Sequence, residues 1–438
     1  MLGSRSRSLI LALFALLLAA CAPASGADGP RPTRTAAAPS ATATPEPTPT
    51  PQGGPDLSGQ AFTVHYFCDT SSELAAFNFS QLWAAQDLVA AINAAGGVFG
   101  AELKLSVVDT EGSPEGAQSA YARLATRRQL PKIIIACDVA TELALAPLVE
   151  DDDIPTLGPG LAPLNAYADP GGALFAYRAP VDVQFTGWLN YLIANWDAIR
   201  PQGAGDQIHL ALVAWPAEQG GALDLDAAEE YAAGLGIEIV LSSEVAAQRT
   251  ANVYDFFYAA RDANANVIYA TTRAFGSAEL LNAMNALGLA ERFVFAGPDF
   301  AFDGLDAYLV DASNLGGVFF TSSQVAWSQS DNPAVQLAIE LFAENERQDG
   351  DQTQAYLAGL AAVDLARHVI ELILLEEDGE ELDAAALRQA LRDLEGYLVL
   401  GGLYVADFAP NLRYPLLVQS YRIDPDSGQP ILLQDFSP

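Results

Sequence analysis

The sequence predicts an α/β protein of two doubly wound parallel-sheet lobes. Three observations lead there. Short apolar, β-branched or aromatic runs alternate with stretches of helical periodicity. The alternation breaks around Leu164–Pro180 and then starts again, as a second lobe of the same kind requires. The strand-like runs are apolar along their length, which suits parallel strands covered on both faces.

The first set begins with a strand at Ala61–Phe67 and a helix at Phe79–Ala95, which stops at Gly96-Gly97. A strand at Leu103–Val108 follows, and Pro114 opens a helix running to about Arg128. Then come a strand at Ile133–Ala136, a helix at Val139–Val149 and a strand at Ile154–Leu157. After the break the expected strands are Ile208–Ala214, Ile237–Leu241, Val267–Ala270 and Phe293–Ala296. Helices at Val181–Trp196, Leu225–Ala233, Asn252–Asp262 and Ser277–Leu287 alternate with them. Three helical segments close the pattern, Pro333–Glu346, Thr353–Leu375 and Asp383–Leu394. Strand-like runs at Tyr397–Phe408 and Leu416–Ile423 end the chain.

Composition narrows the possible functions. Of 438 residues, 51% are hydrophobic and 17% charged, which is ample core material and excludes a disordered chain. The formal net charge is −34, which opposes phosphate backbones and anionic lipid surfaces alike. Nucleic acid is therefore not an expected partner.

Residues 1–20 read as an address. Arg5 and Arg7 precede the 12-residue apolar stretch Leu9–Ala20. A stable membrane-crossing helix needs roughly 20 residues, so the stretch reads as a secretory signal peptide. Leu18-Ala19-Ala20-Cys21 resembles the lipobox of bacterial lipoproteins, which implies lipidation of Cys21 and a lipid anchor at the outer face of the cell membrane. Residues 21–56, rich in proline and threonine, read as a tether that spans at most roughly 100 Å if extended.

Within the body, the run from Asp87 through Gly96-Gly97-Val98-Phe99-Gly100 to Asp109-Thr110 resembles the opening of type I periplasmic binding proteins. These are the extracellular solute receptors of ABC importers, here of the branched-chain amino acid and amide branch. Ile154–Gly160, Phe175–Arg178, Phe295–Asp299 and Gly316–Thr321 continue the likeness in order. The resemblance implies two lobes joined by three crossings, with solute trapped between them by hinge closure. It places lobe 1 at 57–179 and 322–395, and lobe 2 at 180–321 and 396–438. It also implies a small-molecule ligand, an amino acid or amide-like solute, and an ABC permease as partner. The protein is expected as a monomer with no cofactor.

Ligands of open parallel sheets sit beyond the carboxyl ends of strands, which selects the loops after Phe67, Ala136, Leu157, Ala214, Ala270 and Ala296. By resemblance Asp299 matches the acid that pairs with a ligand ammonium; a helix cap or turn is the alternative. Arg273 departs from the family pattern and suits a two-point grip on a carboxylate, or a pair across the cleft rim. Phe77 and Trp215 are candidates for a sandwich around an apolar ligand part, or for core. Ser71 and Thr141 offer hydroxyls, and Gly160 and Leu161 offer backbone amides. The loop Gly158–Ala162 has no hydroxyl, which weakens an α-amino acid assignment and leaves a small amide or another polar solute open.

Cys68 and Cys137 lie past the ends of strands one and three, neighbours ~4.8 Å apart in a sheet of order 2-1-3-4. Export permits oxidation, so a Cys68–Cys137 disulfide is expected. The acid runs Glu150–Asp153 and Glu376–Glu381 lack calcium-loop spacing and read as solvated surface rather than metal sites. His65, His209 and His368 are far apart in sequence, and no HExxH, GxSxG, phosphate-loop or CxxC pattern occurs, so an enzyme is not expected. A ligand-sensing lipoprotein that signals to a membrane receptor is the alternative to uptake.

Overall fold

The computed structural model describes residues 54–72, 75–215, 223–244, 253–303, 315, 317–376, 382–409 and 411–437. The expected signal peptide, Cys21 and all but the end of the tether lie outside these residues, as does most of the Glu376–Glu381 run. Among the described residues no helix is long and apolar enough to cross a membrane.

The chain forms β1 (Ala61–Cys68), α1 (Ala76–Ala94), β2 (Glu102–Asp109), α2 (Pro114–Thr126), β3 (Ile134–Ala136), α3 (Val139–Asp151), β4 (Thr156–Gly158) and β5 (Leu174–Ala176). It continues with α4 (Val181–Ile199), β6 (His209–Ala214), α5 (Leu225–Gly234), β7 (Glu238–Glu244), α6 (Val253–Asp262), β8 (Val267–Thr271), α7 (Ala274–Ala286), β9 (Val294–Pro298) and β10 (Val318–Ser322). The remaining elements are α8 (Pro333–Glu344), α9 (Gln354–Glu376), α10 (Ala384–Arg392), β11 (Tyr397–Val399), β12 (Tyr404–Ala406), β13 (Val418–Ile423) and β14 (Pro430–Ser437).

Two main sheets result. The first has the order β2-β1-β3-β4-β5, with every pair parallel. The second has the order β14-β13-β10-β9-β8-β6-β7. Its five strands β6 to β10 are parallel, and β13 and β14 extend it as an antiparallel hairpin. Strands β5, β10 and β14 were absent from the expected strands. β5 is three residues long, too short to carry a periodic signal.

Successive strand residues face opposite sides, and the buried clusters follow that rule. Val64, Tyr66, Ile135 and Cys137 meet α1, α8 and α9 on one face of the first sheet. Phe67 and Ile134 meet α2 and α3 on the other. In the second sheet Ile268 and Ala270 pack with α6 and α7, while Val267 and Tyr269 pack with α4 and α5. Caps fix the helix starts. Ser113 accepts the Gly116 amide at the head of α2, with Pro114 first in the helix, and Asp138 accepts the Thr141 amide at the head of α3. Asp87 ties α1 to α9: its carboxylate takes the Arg347 guanidinium at 2.5 Å and the Tyr356 hydroxyl at 2.7 Å.

The chain crosses between the sheets three times, at 177–180, 323–332 and 407–417. The last crossing corrects the boundary expected at 395/396. Val399, Leu403, Tyr404, Ala406 and Phe408 are buried in the first core, against α9, so the β11–β12 hairpin belongs to lobe 1. Glu150 and Asp153 are exposed, as expected of the acid run, and also make ion pairs. Both bind Arg388 at 2.6 Å and so join α3 to α10.

Candidate functional site

A cavity of about 320 Å³ opens where the carboxyl ends of both sheets face each other. Its lining follows the chain. After β1 come Phe77, Phe79, Gln81 and Trp83; after β3, Cys137; after β4, Leu161; and after β5, Arg178. The second lobe adds Arg273 and Ala274 after β8, and Phe300 and Asp303 after β9. Gly350, Asp351 and Thr353 ahead of α9, and Ala355 in its first turn, complete it.

Of the residues singled out in the sequence, Phe77, Leu161 and Arg273 line this cavity. Trp215, almost wholly buried, packs edge-on against Phe77 with ring centroids 6.3 Å apart. The Arg273 guanidinium stands 5.6 Å from the centre of the same Phe77 ring, within cation–π range. Phe77 of lobe 1 therefore meets two side chains of lobe 2.

Gly160 serves the backbone. Its φ of +72° is a left-handed conformation, and a Cβ there would stand 2.5 Å from the Arg178 carbonyl oxygen. Only glycine lets the loop after β4 run against the first crossing and present Leu161. Thr141 is buried beside the site, and its hydroxyl bonds Asp138 at 2.9 Å and Thr110 at 3.1 Å. Ser71 is exposed in the loop after β1, where its amide donates to Asp69 at 3.3 Å.

Asp299 stands beside the wall rather than in it. Its carboxylate accepts the Phe300 amide and the Ser322 hydroxyl, each at 2.7 Å, and lies 3.9 Å from Arg178. Its own amide donates to Gln184 at 3.0 Å. These contacts make it the counter-ion and brace of the first crossing. The acid of this loop that reaches the cavity is Asp303, four residues on. Sequence reasoning selected the loop after Ala296 by the strand-end rule but not this member of it. Arg178, Trp83 and Phe300 were likewise without a site role. Arg178 was legible only as part of the Phe175–Arg178 segment.

The charges at the cavity are partly withdrawn from water. Arg178 is buried; its Nε donates to the Pro159 carbonyl at 3.2 Å, and its Nη1 makes no hydrogen bond among the described residues. Asp303 accepts the amides of Gln354 and Ala355 at 2.6 and 2.8 Å. Burial pushes its carboxyl up to about 6, with nearby Asp299 adding to the rise. Those two amides and Arg178 oppose the shift. Burial also raises Asp138, against hydrogen bonds from Thr141 and the charge of Arg273. Asp351, which also lines the cavity, accepts the Gln348 amide at 3.2 Å.

Cys68 and Cys137 are joined by a disulfide with Cα atoms 5.1 Å apart, across the neighbouring ends of β1 and β3. Cys137 forms part of the cavity floor. None of the three histidines lines the cavity. The arrangement offers donors, acceptors and aromatic walls, which is chemistry for holding a solute.

A family model described as "Periplasmic binding protein" matches residues 63–411. Comparison with curated proteins finds no match. Among solved structures, the chain is similar to a branched-chain amino acid ABC transporter protein from Thermus thermophilus with bound valine. The TM-score is 0.75 at 18% identity, over 87% of this chain and 97% of that one. It is similar also to a solute-binding protein from R. palustris in complex with 4-hydroxybenzoate, with TM-score 0.70, 15% identity and coverage of 86% and 97%. A fatty acid ABC transporter substrate-binding protein from Thermomonospora curvata gives TM-score 0.69, 16% identity and coverage of 88% and 94%.

Proposed function

Because this chain belongs to the periplasmic binding protein family, whose members are solute-binding proteins of ABC transporters and not enzymes, we propose that it captures a small amino acid or amide-like solute. The solute sits between the two lobes and is handed to a membrane permease. One observation carries the ligand class: one cavity, lined from both lobes, holds a buried guanidinium, whose Nη1 has no hydrogen bond among the described residues and stands 3.9 Å from Asp299, and a half-buried carboxylate with lone pairs to spare. A solute with both an acceptor and a donor or cation satisfies both. Its carboxylate or carbonyl faces Arg178 and Arg273, its ammonium or amide faces Asp303, and its apolar part lies on Phe77, Phe300 and Leu161. Asp303 thus replaces Asp299 in the role first expected of it.

Titration supplies a signature. Burial pushes Asp303 up to about 6 even with Arg178 nearby. An ammonium lowers that value, so binding releases a proton, and affinity for a zwitterion rises as pH climbs from about 4 to about 7. A second reading, an aromatic acid without an amine, is favoured by the two arginines that line the same cavity as Phe77. It predicts no such rise and no loss in Asp303→Asn.

The test is a thermal-shift screen of the purified protein against amino acids, their amides and hydroxybenzoates. A solute that binds only the folded state raises the melting temperature by mass action. A shift for an apolar amino acid or amide that Asp303→Asn abolishes supports the reading. A shift confined to hydroxybenzoates transfers the assignment to the second.

In this reading the body is a monomer, tethered at the outer face of the membrane through lipidated Cys21. Cys21→Ser is expected to release the protein into the medium, and fractionation of labelled cells checks it.

A further inference from the structure

Helix α9 is capped from two directions. Of the opening amides of the helix, Thr353, just ahead of it, takes that of Tyr356, through its hydroxyl at 3.2 Å and its carbonyl at 3.1 Å. The first two amides of the helix, of Gln354 and Ala355, donate instead to Asp303, at 2.6 and 2.8 Å. Asp303 belongs to the loop after β9, on the second sheet. The helix belongs to the first lobe, with Tyr356, Leu357 and Leu360 fully buried there. Thr353 itself is held from the first lobe: its hydroxyl meets that of Ser80 at 2.7 Å, and its carbonyl accepts from Trp327 at 2.8 Å.

Opening amides of a helix have no partner within it and carry the positive end of its dipole. A carboxylate that accepts two of them makes charge-assisted bonds. Here both bonds run from one lobe to the other. They form only when the loop after β9 reaches α9, and separating the lobes returns both partners to water.

We propose that Asp303 is an interlobe latch, which draws the loop after β9 onto the amino end of α9 and favours the closed clamp before any solute arrives. The contact exists in one arrangement of the lobes and not in the other, which is the differential interaction a conformational bias needs. The proposal goes beyond the solute reading. It rests on the two-lobe clamp, not on the identity of the solute.

The test is hydrogen exchange on the full chain without solute, comparing the parent with Asp303→Ala and Gln354→Pro. Proline suits the first position of a helix but has no N–H, so Gln354→Pro removes one latch bond from the other side. Gln354→Ala is the control, since it keeps the amide and loses only the side-chain bond to the Val325 carbonyl. Loss of the latch is expected to speed exchange about tenfold in both cavity walls, residues 76–83 and 273–281. The control is expected to exchange there at the parent rate. Loss of a merely local cap speeds residues 354–356 alone, and that result, or walls unchanged in both variants, overturns the latch. If Asp303→Ala does not fold, Gln354→Pro decides alone. Because no solute is present, failure here leaves the solute screen standing, and the reverse also holds.

Discussion

The two walls of the cleft differ in kind. Lobe 1 presents Phe77, Phe79, Trp83 and Leu161 over a floor crossed by the Cys68–Cys137 disulfide. Lobe 2 presents Arg273 and Asp303 on loops at the ends of β8 and β9. Lobe 1 supplies most of the aromatic area on a stiffened base, and lobe 2 supplies Arg273 and Asp303, with Phe300, on connecting segments. Polar groups fix orientation in such sites, while apolar walls supply most of the contact area. Lobe 2 is therefore the wall where substitutions should change which solute binds, and lobe 1 the wall where they should change how firmly the body holds together.

The largest expected departure from that division is at Asp299, a lobe 2 acid that acts structurally. Asp299→Ala leaves Arg178 buried without its counter-ion and is expected to cost about 3–5 kcal/mol of stability. Chemical denaturation checks this; a fully stable variant that had lost only solute binding would return Asp299 to the site.

Next comes Glu142, in the first turn of α3, fully buried and bonded by the Tyr167 hydroxyl at 2.6 Å. Burial pushes its carboxyl up to about 8, with Asp138 adding to the rise and the Tyr167 hydroxyl opposing it. A group raised on folding binds its proton more tightly in the native state. Its contribution is complete below the unfolded value, near 4.5, and is lost as pH rises to about 8. Glu142→Gln should flatten that decline, on the order of a few kcal/mol across the window. Melting curves taken at intervals from acid to alkaline pH test it.

The disulfide comes third. Replacing Cys68 and Cys137 by alanine is expected to cost about 2–4 kcal/mol and to lower solute affinity less than Asp303→Asn does. The smallest effect belongs to Ser71→Ala, within about 0.5 kcal/mol in stability, with unchanged binding. A lost affinity in Ser71→Ala would bring the loop after β1 into the site.

Much of the fold was legible because its signals are local. Alternating strands and helices, the Gly96-Gly97 stop and the Pro114 start depend on nearby residues alone. The cysteine pairing was legible because strand order brings the ends of β1 and β3 together. Less visible was what depends on distant packing. Nothing local in 397–408 says that its hairpin is covered by α9 rather than by the second sheet. The three residues of β5 take their strand form from the edge of β4 and from the Arg413 carbonyl, which accepts the Ala176 amide at 2.7 Å. The site shows the same limit. Asp299 and Asp303 share one loop, and only its path decides which carboxylate meets Arg178 and Ser322 and which meets α9 and the cavity.

The most direct test of the clamp is titration calorimetry of the parent and Asp303→Asn with the solute that gives the largest thermal shift, at pH 5 and pH 7.5. One solute per chain should bind, more tightly at the higher pH, and Asp303→Asn should weaken binding at pH 7.5 and remove the pH dependence. Equal affinity for parent and variant at both pH values would contradict the account.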